Sequence, residues 1–292
     1  MTSFSPNKEV ERARPLLGTT VNIRVTGMTE AIAHTAITEA FAAVERVHAL
    51  MSFHEAESDL SRLHAAGPGE RVQLDAQTAR VLMEARRLSQ LTRGVFDVTI
   101  GSRLVAKGLL PAPDAHHPAC SDANWEDIEI DEQGGARLRR AAWIDLGGIA
   151  KGYAVDRAID VLRAHGVAHG CVNAGGDLRT LGEGPHRVAI ATDEAGVTHI
   201  PVLEVGEVAV ATSSGRANAT PDAAPHIHGR TRVEVNRYQV ATVVAPQCIH
   251  ADALTKVVLA LGSESAPILQ QFDAVAYLQN QAGQWTGIGT AL

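Results

Sequence analysis

Apolar and polar positions change period several times along the chain, and the changes outline its elements. In Pro15 to Val25, PLLGTTVNIRV, a Gly-Thr turn precedes alternating Val21, Ile23 and Val25, which predicts a strand with one buried face. From Thr29 to Met51 the period lengthens, and Ile32, Ala36, Ala40, Val44 and Val47 follow one side of a long helix. Met51 to Leu63 is polar and turn-like, a solvated loop when taken alone, with Phe53, His54 and Arg62 available to a ligand. Asp75 is placed to cap a helix over Ala76 to Leu91, where Leu82, Ala85 and Leu88 share a face and Gly94 marks the end. Val95 to Gly101, VFDVTIG, alternates like a strand around a lone Asp97, which is either an exposed pleat residue or a polar anchor at a pocket. Pro111 to Asn124 is loop by its Pro, Asp and His content.

The pattern is densest from Trp143 to Asp177. A short apolar strand ends at Asp145, and a turn through Gly147 and Gly148 leads past Lys151 and Gly152 into an amphipathic helix over Tyr153 to Ala164. Gly166 ends that helix, and a strand over Gly170 to Val172 runs into the turn Asn173-Ala174-Gly175-Gly176-Asp177. Beyond it, Arg187 to Ala191, Val202 to Val205 and Val208 to Ala211 are short β-rich pieces, Ala211 to Gly215 is a small-residue turn, and Ala217 to Pro225 is poor in structure. Tyr238 to Val244 is a strand, followed by a helix with Leu254, Val257, Val258 and Leu261 on its buried side and Gly262 as its cap. Helices in the first half and antiparallel-looking strands in the second predict an α+β fold. There is no internal repeat and no low-complexity linker.

A chain of 292 residues with 45% hydrophobic and 20% charged residues can bury a sizeable core. Its net charge of -7 argues against a general nucleic-acid or anionic-membrane binder. No run is apolar enough to span a bilayer, and the first residues carry charges with no apolar signal segment, so the expected location is the cytoplasm, or the periplasm if a leader has been removed. Cys120, Cys171 and Cys248 are far apart and are expected to be buried small hydrophobes, without a disulfide framework or zinc site. His116-His117 has no third ligand nearby and reads as surface loop.

Gly-rich turns leading into a helix suit a phosphate, because backbone N–H groups can approach it and the helix dipole favours its charge. A nucleotide is therefore the first ligand to consider, although G-x-G-x-x-G is absent and Lys151 precedes Gly152, unlike a phosphate-binding loop. On the glycines alone, tight packing is the preferred explanation. Asp252, Thr255 and Lys256 project at i, i+3 and i+4 spacing, and in isolation they read as a first-turn Asp with a salt bridge to Lys256.

Taken together, LLGTTV, MSFHEAESDLSRL, VFDVTIG, IDLGGIAKGYAVDRA, VNAGGDLRTLG, VAVATSSG and ADALTKVVLALG make the chain resemble the ApbE-type FAD:protein FMN transferases, over roughly residues 14 to 262. The resemblance implies an α+β fold of two related lobes with FAD in the cleft between them, in a single domain over 14–290 after an extension over 1–13. It implies transfer of FMN from FAD, with Mg²⁺, onto a Thr or Ser hydroxyl of a target flavoprotein, with release of AMP. By the same resemblance Leu17, His54, Val95, Phe96, Asp97, Asp145, Lys151 and Ile227 contact FAD. The carbonyl of Gly148 and the Asp252 carboxylate match metal-holding positions and Asp177 shapes the cleft floor, while Thr255, one residue before the ligand position, is the neighbouring candidate ligand and Asp252 and Lys256 the candidate catalytic pair.

Departures from the family's pattern are specific. Leu17 stands where Met is usual, His54 where a stacking Tyr is usual, and His226-Ile227-His228-Gly229-Arg230-Thr231-Arg232 replaces H-x-I-D-P-x-T-G. Lys256 occupies the position of the metal-ligating Thr, and a charged ammonium has no lone pair for Mg²⁺. Lys256 is expected to pair with Asp252 or with the pyrophosphate. The alternatives to transfer are FAD hydrolysis to FMN and AMP, or FAD binding without chemistry; a dinucleotide-dependent oxidoreductase is disfavoured by the missing fingerprint.

Overall fold

The structure is a computed structural model and describes residues 9–190, 202–215 and 226–289. The Ala217–Pro225 stretch and the end of the expected 187–191 strand lie outside the described residues. In chain order the strands are β1 (Val10–Leu16), β2 (Thr19–Thr26), β3 (Val72–Gln73), β4 (Ile128–Ile130), β5 (Gly135–Leu138), β6 (His169–Ala174), β7 (Asp177–Leu181), β8 (His186–Ala189), β9 (Val202–Val205), β10 (Ala209–Ser214), β11 (Tyr238–Ala245), β12 (Val275–Asn280) and β13 (Trp285–Ile288). The α-helices are α1 (Glu30–Met51), α2 (Asp59–Ala65), α3 (Ala76–Leu91), α4 (Gly101–Ala106), α5 (Ala150–Ala164), α6 (Cys248–Leu261) and α7 (Ala266–Gln270).

Eight strands form one antiparallel sheet in the order β1-β2-β6-β7-β10-β11-β12-β13. Three long helices lie side by side across it, α1 against β1 and β2, α5 against β6 and β7, and α6 against β10 and β11. The periodicity dictates this layer. Val21, Ile23 and Val25 of β2 are fully buried while Arg24 between them is exposed, and Ala36, Ala40, Val44 and Val47 of α1 meet that face. β11 runs through the middle of its half of the sheet and is buried on both sides from Val240 to Ala245. On the sheet's second face the β8–β9 ribbon brings Val188 and Leu203 against Leu178, Val210 and Val244. β1 begins at Val10, ahead of the expected domain start at residue 14, and pairs along its length with β2.

Between α1 and α5 the chain makes a long excursion holding α2, α3, α4 and a small sheet ordered β3-β5-β4. Several expectations are corrected here. The polar segment after α1 contains α2, started by Ser58, whose hydroxyl accepts from Ser61 N at 3.1 Å. VFDVTIG is no strand: Asp97 accepts from the backbone N and the hydroxyl of Thr99, each at 2.8 Å, and winds Val98–Ile100 into a 3-10 turn that runs on into α4. Trp143 to Asp145 is extended without joining a sheet, and its backbone bonds to that turn through Gly101 N to Trp143 O at 3.0 Å and Asp145 N to Val98 O at 2.8 Å. The small residues 211–214 continue β10 and make no turn. Cys120 is exposed, Cys171 half-buried and Cys248 buried, and all three are free thiols.

α5 also starts earlier than expected, at Ala150, so Gly152 lies inside its first turn. Tertiary packing explains the glycine. A Cβ on Gly152 would collide with the Cys248 carbonyl and stand 2.8 Å from Asp252 Cβ, so the glycine is what lets α5 and α6 touch. Neither helix has a side-chain cap of its own, and each borrows one from the other. Asp252 of α6 accepts from Gly152 N at 3.0 Å, and Asp156 of α5 accepts from Cys248 N at 3.0 Å and Ile249 N at 2.9 Å. Arg179 of β7 completes the second cap on Asp156 at 2.6 Å.

Gly152→Ala is expected to lower unfolding free energy by about 3 kcal/mol, the helix-propensity gain of about 1 kcal/mol being outweighed by overpacking. Urea midpoints would read this, with Gly206→Ala as a control expected within about 0.5 kcal/mol of wild type, because a Cβ on Gly206 meets nothing within 4 Å.

Candidate functional site

Two chambers open beside the N-terminus of α5, and Lys256 of α6 reaches the first of them. The first, of about 350 Å³, has apolar walls that include Phe96, Val98, Leu104, Ile227 and Val235. The second, of about 230 Å³, lies beside the β1–β2 turn and is lined by Leu17, Val47, Met51, Phe53 and His54. They share Leu110, Asp145 and Gly147, so they form one cleft with a waist. Lys256 reaches the waist from the first chamber and Lys151 from the second.

Most of the residues singled out in the sequence meet here. Val95, Phe96, Asp97, Gly148, Ile227 and Lys256 line the first chamber, Leu17, His54 and Lys151 the second, and Asp145 both. Asp252 and Thr255 line neither, and both are fully buried. Asp252 therefore acts on the cleft through its partners. Lys256 Nζ donates to the Asp252 carboxylate and, at 3.0 Å, to its carbonyl. Lys151 Nζ pairs with Asp177 and lies 3.9 Å from Asp252 Oδ1.

Charge at the waist follows from this geometry. Burial alone would raise the Asp252 carboxyl, but Lys151 and Lys256 outweigh it and hold the group below the ordinary carboxylate range. Burial, with the Asp252 charge beside it, pushes Asp177 up, and one of its carboxylate oxygens has no hydrogen-bond partner. Asp145 is pushed up by burial although it accepts from Gly147 N at 3.0 Å. Lys151 is raised by its carboxylate neighbours against the opposing effect of burial. The waist thus presents two ammonium groups, Lys256 held on the Asp252 carboxylate and Lys151 on Asp177 with Asp252 3.9 Å away.

The walls are held by polar clasps. The Asp97 carboxylate accepts from Thr99, from Trp125 N at 3.3 Å and from Arg232 at 3.0 Å, so it is the polar anchor of the two readings and its oxygens are already engaged. Gly229 N donates to Val95 O at 2.9 Å, which lays the 226–235 hairpin along the first chamber. Leu17 takes φ of 56° and Gly18 φ of 70° in the turn between β1 and β2. A Leu in the left-handed region costs about 1 kcal/mol, and that strained residue stands on the wall of the second chamber. His64 of α2 accepts from Ile144 N at 2.8 Å and so fixes the backbone next to Asp145.

One residue was not among those singled out. His226 lines the first chamber, and burial together with the Lys256 charge lowers it to about 4, so it is neutral near pH 7. Its Nε2–H donates to the Ser214 carbonyl at 2.9 Å, which leaves the lone pair on Nδ1. The histidine was visible in the His226-Ile227-His228 stretch, but its burial against the lysines was not.

The residues do not fit the magnesium ion that the resemblance implies. Asp252 has one oxygen on Gly152 N and the other on Lys256. The Thr255 hydroxyl donates to the Asp252 carbonyl and shares a bond with Ser213 Oγ, each at 2.7 Å, so it turns toward β10 and does not reach the cleft. Among the described residues no group of three or more His, Cys, Asp or Glu side chains could hold a metal ion. Mg²⁺ demands near-octahedral oxygen ligation, and an ammonium in the middle of the set repels it.

Residues 17–278 match the sequence pattern of the ApbE family. The FAD:protein FMN transferase of Vibrio cholerae is 29% identical over 294 residues, spanning 94% of this chain and 87% of its own. The structure of the flavin transferase ApbE from Vibrio cholerae superposes with a TM-score of 0.82 at 25% identity and covers 97% of both chains. That of the ApbE protein from Thermotoga maritima gives a TM-score of 0.82 at 23% identity, covering 96% of this chain and 97% of its own.

The clasp on the Asp145 backbone should be sensitive to acid. His64 is buried and lowered to about 4, mainly by desolvation, whereas an unfolded histidine titrates near about 6.5. The unfolded chain then takes up a proton that the folded chain refuses. The His64 contribution is therefore intact above the unfolded value, declines as the pH falls, and is lost below the folded value, a change of about 3 kcal/mol. Urea midpoints at about pH 7.5 and about pH 4.5 should differ less in His64→Gln than in wild type; equal differences would reject the assignment.

Proposed function

The chain belongs to the ApbE family, and from that membership and the two-chambered cleft we propose that it transfers FMN from FAD onto a Thr or Ser hydroxyl of an acceptor flavoprotein, releasing AMP. The observation that carries this reading is the waist, where Lys151 and Lys256 stand between two chambers lined largely by apolar and aromatic side chains. A ring system in each chamber and a diphosphate at the waist would follow the order of apolar and anionic parts in a flavin dinucleotide. Leu17, His54, Val95, Phe96 and Ile227 would bind the rings, and Asp145 with the Gly147-Gly148 turn would border the diphosphate. Asp97 would contribute by holding the wall.

In the reaction the acceptor oxygen bonds to the phosphorus of the FMN half, and the bond from that phosphorus to the bridging oxygen breaks. The electron pair stays with AMP. His226, unprotonated near neutral pH with its lone pair on Nδ1, would accept the hydroxyl proton, although burial and the Lys256 charge weaken it as a base. Lys151 and Lys256 would offset the charge gathering on the phosphate oxygens and orient them. Asp252 would hold both ammonium groups in place without touching the substrate. No described helix is long and apolar enough to cross a membrane.

Incubation with FAD and a candidate flavoprotein is expected to give FMN-tagged acceptor and AMP. Free FMN with AMP would instead favour hydrolysis, and unchanged FAD would favour binding alone. His226→Gln should lower the transfer rate by about a hundredfold or more while leaving FAD affinity within a few-fold of wild type. A rate within about twofold of wild type would remove His226 from the proton path.

A further inference from the structure

We propose that the Lys256 ammonium, seated on Asp252, takes the place of a divalent cation at the diphosphate, so that this chain binds FAD and transfers FMN without Mg²⁺. The inference rests on the transfer reading above and specifies how its charge is handled.

Three observations converge. Lys256 Nζ is held by both the carboxylate and the 3.0 Å carbonyl of Asp252, so its position is fixed by a full turn of α6. A Cβ placed on Gly148 would lie 3.5 Å from Lys256 Cε, which puts the lysine stem directly against the glycine turn at the waist. Thr255, the neighbouring hydroxyl that could have served as a ligand, is drawn off to Ser213 at 2.7 Å and is fully buried. Cation ligands are thus withdrawn and a fixed cation is supplied. Lys151, paired with Asp177 and 3.9 Å from Asp252, adds a second ammonium on the opposite side.

An ammonium can do part of what a metal does. It offsets phosphate charge and, with the one N–H that Asp252 leaves free, donates to a phosphate oxygen. The atoms balance without a metal: the acceptor O–P bond forms, the P–O bridge bond breaks with its electrons on AMP, and the hydroxyl proton leaves through His226 to solvent. Unlike a metal it brings no exchangeable water and cannot be removed by chelation.

The test compares wild type with Lys256→Thr and Lys256→Met. Mn²⁺ binding is read by electron paramagnetic resonance without flavin, and FAD affinity is read by flavin fluorescence in EDTA and in excess Mg²⁺. Wild type should leave Mn²⁺ free in solution and bind FAD equally, within about twofold, in both media. Lys256→Thr should gain Mn²⁺ binding and lose about tenfold to a hundredfold of its FAD affinity in EDTA, with recovery in Mg²⁺. Lys256→Met, which keeps the stem but neither charge nor ligand, should lose affinity in both media. Wild type that binds Mn²⁺ at low micromolar concentration, or that needs Mg²⁺ to bind FAD, overturns the inference. Metal-free FAD binding as expected, with no tagged acceptor in the transfer assay, would instead overturn the transfer reading and leave Lys256 at the diphosphate.

Discussion

Two helix N-termini placed side by side repel, because each gathers the positive ends of its peptide dipoles and leaves N–H groups unbonded. Here α5 and α6 meet at such a point, and a carboxylate from each caps the other: Asp252 takes Gly152 N, and Asp156 takes Cys248 N and Ile249 N. A buried N–H left without a partner costs about 1–3 kcal/mol, so these bonds decide whether the crossing can exist. Gly152 makes the approach possible and the carboxylates make it stable. The rest of the cleft depends on this junction. The Gly147-Gly148 turn is the run-in to α5, Lys151 lies in its first turn, and Lys256 rides one turn above Asp252 on α6.

The same carboxylate links architecture to electrostatics. Asp252 is fully buried, so its charge is tolerated only because an N–H and two ammonium groups surround it. Those ammonium groups, only partly buried, are what the cleft presents. One interaction therefore joins the helices and places two ammonium groups at the waist between largely apolar chambers. Removing either lysine would leave the buried carboxylate partly uncompensated as well as thinning the charge at the waist.

The far wall is arranged differently. It comes from the excursion between α1 and α5, which is braced from within by His64 on Ile144 and Asp97 on Thr99 and Trp125, and is joined to the 226–235 hairpin by Arg232, which donates to Asp97, Thr99 and the Ala123 carbonyl, the last at 2.6 Å. Directional bonds of this kind fix where the wall stands more sharply than apolar packing alone. Arg232, at the far end of the 226–232 segment, completes the clasp on Asp97.

Elements whose signal is local were legible in the sequence. The long helices α1, α3, α5 and α6 and the strands β2 and β11 follow from apolar periodicity over many residues, and Asp75 caps α3 as its position implied, accepting from Gln77 N at 2.9 Å. The ordered motifs carried the family, and the mismatch of Lys256 with a metal ligand was readable because it depends only on what the side chain is. Short segments failed where a buried polar group imitated alternation, as Asp97 does in VFDVTIG. Tertiary structure alone decided the reciprocal caps, the turn of Thr255 toward Ser213, and the neutral, oriented His226. Each depends on a partner far along the chain: Gly152 and Asp252 are 100 residues apart, Asp156 and Cys248 are 92, and Ser213 and Thr255 are 42. Periodicity reports the face a residue turns from its own helix or strand; which distant group it meets there is fixed only when the elements pack.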